Sequence, residues 1–237
     1  RVLFRSVLVW QEGWLKKVAK IASKILDKKA LKATFKLNAN ITIRTFALVS
    51  TFALFNNFSS ALGTLILAAN TLLLQVITFA AYFIDGLAFA TESFAGNFRG
   101  GGKKKQLAPL LRLSGSIGFS LGLAFALIFV IFRKTLFGLL TNHQNVIELI
   151  DIYAIWLFPV LAFGAIAYIL DGYFLGLTEG GMMRNGAIIA SVVGFLPMAL
   201  VALHWKNAHL LWLAFTLFTA GRMLTLAWKV PQTLRDN

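Results

Sequence analysis

Asp85, Glu92 and Asp171 are carboxylates set inside stretches that are otherwise almost wholly apolar. In hydrocarbon an ionisable side chain costs about 2.5–3.5 kcal/mol even on permissive insertion scales, so such a group faces a cavity or finds a partner. Two of the three occur in matching strings, Tyr82-Phe83-Ile84-Asp85-Gly86 and Tyr168-Ile169-Leu170-Asp171-Gly172, which suggests a duplicated unit. Asp85 and Glu92 are seven residues apart and so share a helical face, about two turns from each other. Converging on one cavity, the three carboxylates could bind a cation or share a proton. The alternative is that each Asp satisfies backbone groups loosened by its following glycine, or pairs with Arg44, Arg99 or Arg222. Asp171 leads as the functional candidate, then Asp85, then Glu92.

Other chemistries lack their residues. The run Gly100-Gly101-Gly102-Lys103 fails as a phosphate-binding loop, because position 97 is Asn and position 104 is Lys where a glycine and a hydroxyl are needed. It fails as a dinucleotide fingerprint too, since the third glycine would fall on Lys105. Cys is absent, and no acid stands at ligand spacing beside His143, His204 or His209, so no metal site is expected. Neither Gly-x-Ser-x-Gly nor His-Glu-x-x-His occurs, which removes the usual membrane hydrolases. No cofactor is implied and the chain is not expected to be an enzyme.

The elements that must position these acids are membrane spans. Hydrophobic residues make up 58% of the 237, charged residues 14%, and the mean hydropathy is +0.76, far from a soluble domain with a quarter of its residues charged. A hydrocarbon core of about 30 Å needs roughly 20 apolar residues. Six windows meet that length, near 41–62, 66–95, 113–132, 149–176, 185–203 and 208–229. Their Ala, Gly and Ser content indicates packed helices rather than barrel strands. The expected fold is all-α, a polytopic bundle of six transmembrane helices.

The formal net charge of +14 is a topology signal rather than a nucleic-acid footprint. Lys16 to Lys36, Arg99, Lys103 to Lys105, Arg112, Arg184 and Lys229 fall on one side of the six spans, against Arg133, Lys134 and Lys206 on the other. By the positive-inside rule both termini are cytoplasmic, and the basic surface grips anionic lipid. From Trp10 to Leu37 apolar residues recur at helical spacing opposite lysines, so residues 1–37 read as a linker carrying a basic amphipathic surface helix. Residues 38–230 form the six-helix lobe and 231–237 a cytoplasmic tail. Arg1 to Ser6 reads as a translated sequencing adapter, with the expectation that the protein proper extends upstream. Gly115, Gly118 and Gly122 allow close helix packing, and Pro159 with Gly164 should bend the fourth span.

Several strings then occur together: Asn38-x-Asn40-x-x-x-Arg44-Thr45, Ala68-Ala69-Asn70-Thr71-Leu72, Asp85-Gly86-x-Ala88-x-Ala90-Thr91-Glu92-Ser93-x-Ala95-Gly96, and Asp171-Gly172-Tyr173-Phe174-x-Gly176 with Met183-Arg184-Asn185. Their order resembles the C-terminal half of a MATE (multidrug and toxic compound extrusion) transporter, of the DinF-type branch. The resemblance implies one lobe of a two-lobe antiporter in a bacterial-type plasma membrane. Such a transporter exports small amphipathic, often cationic compounds by alternating access, partnered by an N-terminal lobe and by membrane lipid. It implies a cavity lined by Asp171, Asp85, Arg44, Asn70, Gln75 and Glu92. It further implies proton coupling in preference to sodium, since the first span carries no carboxylate. Alternatives are a lipid-linked oligosaccharide flippase of the same superfamily, which would want several cavity arginines for a diphosphate, and a non-transporting membrane scaffold.

Overall fold

The computed structural model describes residues 28–234. Most of the expected surface helix, including Trp10 and Trp14, lies outside the described residues, as does the end of the 231–237 tail. By internal contacts the chain divides between Ala39 and Asn40. The described part of the first unit is helical, with Lys28, Lys32 and Lys36 exposed at every fourth position. It opens α1 (Lys28–Leu62), which ends in the second unit.

The second unit continues as α2 (Thr64–Gly100), α3 (Leu107–Ile131), α4 (Arg133–Gly138), α5 (Gln144–Tyr153), α6 (Leu157–Gly176), α7 (Gly180–Ile189), α8 (Leu196–His204), α9 (Ala208–Ala227) and α10 (Val230–Leu234). Among the described residues there is no strand. Gly63 alone separates α1 from α2, at φ 137°, a conformation that a side chain would strain. At 37 residues, α2 is about 55 Å long, so it outruns a hydrocarbon core and carries Arg99 beyond it.

Five helical stretches are long and apolar enough to cross a membrane: Thr64–Gly100, Lys104–Ile131, Gln144–Gly176, Gly180–His204 and Ala208–Leu234. They match the second to sixth expected windows. The expected first span lies on α1, where Arg44, Asn56 and Asn57 lower the hydropathy, and α1 is not among the five.

The irregularities differ from those expected. A short 3-10 turn, Ala154–Trp156, divides α5 from α6. Pro159 falls in the first turn of α6, where a missing N–H costs no intrahelical bond. Gly164 lies inside uninterrupted helix, so the break precedes both residues. In the next span a π-helical turn, Ala190–Phe195, precedes Pro197 and links α7 to α8.

The α6 helix is central, and glycines let its neighbours approach. A Cβ on Gly172 would lie 2.3 Å from the Ala88 carbonyl oxygen, and one on Gly176 2.2 Å from that of Glu92, so the backbones of α2 and α6 touch. On the other flank, Gly122 of α3 sits 2.7 Å from the Leu161 oxygen by the same measure, while Gly115 meets nothing within 4 Å. The larger core joins Phe55, Leu73, Ile77, Trp212, Phe215 and Phe218, with edge-on rings such as Phe55 and Trp212, whose centroids are 4.9 Å apart.

Candidate functional site

Asp171 projects from the C-terminal third of α6 and is 5% exposed. Two arginines bond the same carboxylate oxygen, Oδ2: Arg44 of α1 and Arg222 of α9, each through Nη2. Arg222 is 3% exposed, and its guanidinium also lies over the rings of Tyr168, at 5.2 Å, and Phe218, at 5.7 Å. Charge pairing and ring faces together compensate a cation that burial would otherwise penalise. Arg44 Nε is buried with no partner. The carboxylate thus ties three helices, and of the readings offered by the sequence it takes the one of an ion-paired group.

Asp85, half-buried on α2, lies close enough to Arg44, Asp171 and Arg222 to feel their charge. Two guanidiniums and two carboxylates therefore belong to one cluster. Glu92 is half-buried on the same helix, two turns further along α2.

The remaining sequence candidates occupy different places. Asn70 is fully buried, donating to Ser59 Oγ at 2.8 Å and accepting from Trp212 Nε1 at 2.9 Å. It joins α1, α2 and α9 in the core. Gln75 is exposed and borders a separate cavity of about 600 Å³ with Asn56, Phe79 and Tyr82. Arg99 pairs with Glu179 at 3.3 Å and bonds the Leu177 carbonyl at 2.9 Å, so it serves no acid within a span. His209 accepts from Trp156 Nε1 at 3.1 Å. No group of three His, Cys, Asp or Glu suited to a metal occurs among the described residues. Arg222 and Tyr168 are the members of the cluster that the expected cavity set omits. The signal for Arg222 was its position inside an apolar window; Tyr168 carried none beyond the repeated string.

The MatE family model matches residues 41–201. The chain belongs to that family. Its members are transporters, not enzymes, and with several apolar helices the chain is an integral membrane protein. DNA damage-inducible protein F of Escherichia coli (strain K12) is 33% identical over 204 residues, 84% of this chain and 44% of that protein. Protein DETOXIFICATION 44, chloroplastic, of Arabidopsis thaliana is 24% identical over 187 residues, 79% of this chain and 36% of the relative. Two crystal structures of the Vibrio cholerae MATE transporter VcmN share the fold. A mutant form superposes with a TM-score of 0.71 at 23% identity, covering 86% of this chain and 47% of VcmN. The bent form gives 0.69 at 20% identity, covering 85% and 45%. The chain thus spans less than half the length of the relatives it matches.

Proposed function

We propose that this chain is the six-helix, C-terminal lobe of a cation-coupled efflux antiporter that exports small amphipathic compounds by alternating access. The observation that carries the reading is a polar stripe on α2. Thr71, Gln75, Thr78, Tyr82, Asp85 and Glu92 recur at three-, four- and seven-residue steps, and each remains at least partly exposed in a helix otherwise fit for hydrocarbon. Residues at that spacing line one face, and polar groups at membrane depth line cavities. The stripe supports a transport surface over a scaffold, and the second lobe would face it.

The α1 helix serves as the sixth span in this reading. Two of the polar groups on it have partners: Arg44 pairs with Asp171, and Thr51 donates to Ser191 Oγ at 2.9 Å. The charge distribution supports an orientation with both termini cytoplasmic, in a bacterial-type plasma membrane. The two guanidiniums on Asp171 support proton over sodium coupling, because they already supply the positive charge that a metal ion would bring. They also weaken the flippase reading, since arginines engaged with Asp171 are not available to a diphosphate. Asp171 is then a fixed anchor, and Asp85, on the stripe beside it, is the lobe's accessible acid.

The test is Asp85→Asn in the intact transporter reconstituted in proteoliposomes. Dye efflux driven by an imposed pH gradient should fall toward background while the thermal midpoint stays near that of the parent. Wild-type efflux would remove Asp85 from the mechanism.

A further inference from the structure

Two grooves flank the turn between α6 and α7, far from the Asp171 cluster. One, of about 450 Å³, runs between α7 and the end of α9, past Glu179, Met182, Asn185, Ile189, Trp228 and Lys229. The other, of about 220 Å³, holds Arg99 and Lys104. Glu179 and Met182 are the wall they share. Gly186 and Thr225 close one side of the larger groove, where a Cβ on the glycine would lie 2.9 Å from the threonine hydroxyl.

This groove carries a charge of each sign with bonding capacity to spare. Glu179 takes both Arg99 Nη atoms on Oε1, each at 3.3 Å, longer than a strong charge-assisted bond, and its Oε2 accepts nothing among the described residues. The Lys229 ammonium, in the turn after α9, has no ion-pair or hydrogen-bond partner among them either. Asn185 accepts from Arg184 on its oxygen and keeps its amide N–H groups to donate. Beside these polar groups Trp228 is 80% exposed, and a Trp next to a Lys at a helix end marks the headgroup level of a membrane. From Ile189 an apolar track of exposed side chains continues through Val192 and Val193 into the span.

An anion alone would meet the Glu179 carboxylate, and a cation alone would meet Lys229. A ligand with both charges and a greasy tail suits the whole groove. We propose that it holds a phospholipid with a primary-amine headgroup. The phosphate lies on Lys229 and Asn185, the ammonium donates to Glu179 Oε2, and one acyl chain follows Ile189, Val192 and Val193. A choline headgroup has the same charges but no N–H to give the carboxylate. The site stands apart from the export reading.

The test is native mass spectrometry of the intact transporter released from detergent, with dimyristoyl phosphatidylethanolamine or dimyristoyl phosphatidylcholine added. The two lipids share their chains and phosphate, and only the first has ammonium N–H groups. The most tightly held lipid should be retained about ten-fold better with the ethanolamine head, the factor expected for one hydrogen bond to a charged group. Glu179→Gln should bring the two lipids level. Lys229→Gln, which leaves the Arg99–Glu179 pair intact, should lower the occupancy of both about five-fold. Glycerophosphoethanolamine, the same headgroup without chains, should fail to displace the lipid at equal concentration. The comparison in the parent stands even if a variant fails to assemble. Equal retention of the two lipids by the parent, a preference that survives Glu179→Gln, or unchanged occupancy in Lys229→Gln would overturn the site. Displacement by glycerophosphoethanolamine would assign the groove to a soluble ligand and overturn the lipid.

Discussion

Asp171→Asn keeps the shape of the side chain and removes one negative charge. In the parent, Arg44 and Arg222 share the one carboxylate of Asp171. After the substitution, Arg222, only 3% exposed, keeps its charge and loses its carboxylate partner. Removing one member of a buried ion pair costs about 3–5 kcal/mol. For chains of this size about 1 kcal/mol moves the thermal midpoint by roughly 2–4 °C, so a fall of about 6–20 °C is expected. The stranded charge, rather than a lost shape, is the cause. Asp171→Asn combined with Arg222→Met should therefore recover at least half of the loss, since the double variant no longer strands the buried Arg222 charge. The assay is thermal unfolding of the purified chain in detergent, followed by the fraction that remains monodisperse. A single variant melting within about 2 °C of the parent would refute the reasoning. So would a double variant whose loss equals the sum of the two singles, because coupled sites do not add.

The matching strings separate in the same assay. Gly172→Ala drives a Cβ to 2.3 Å from a backbone oxygen and should cost about 1–3 kcal/mol or more, whereas Gly86→Ala meets nothing within 4 Å and gains up to about 1 kcal/mol of helix propensity. The reverse order of midpoints would discard the close contact of α2 and α6. Asn70→Leu strands the Trp212 indole N–H and should cost about 1–3 kcal/mol; an unchanged midpoint would show that the Ser59–Asn70–Trp212 chain adds nothing.

Much of the architecture was legible because hydropathy and charge are sums over neighbouring residues. Windows rich in Leu, Phe and Ala announced helices in a membrane, and five of the six appear as stretches fit to cross it. Segment boundaries were less legible: Pro159 suggested a bend, but a proline in a first turn is tolerated, and the break lies at Ala154–Trp156. The site was legible only as a set of unusual residues. Composition marked Asp171 and offered Arg44, Arg99 and Arg222 as partners without choosing among them.

By itself, then, the sequence determined that the chain is an all-helical membrane protein of the MatE family with carboxylates inside apolar helices. Tertiary structure decided what those groups do. It brought Arg44 and Arg222, separated from Asp171 by 127 and 51 positions, onto one oxygen. It also took Asn70 into the core and left Asp85 on an open face. It split the twin strings as well, pressing Gly172 against α2 and leaving Gly86 free. The reason is physical. Burial and charge pairing depend on which helix faces meet, and local spacing sets only which residues share a face.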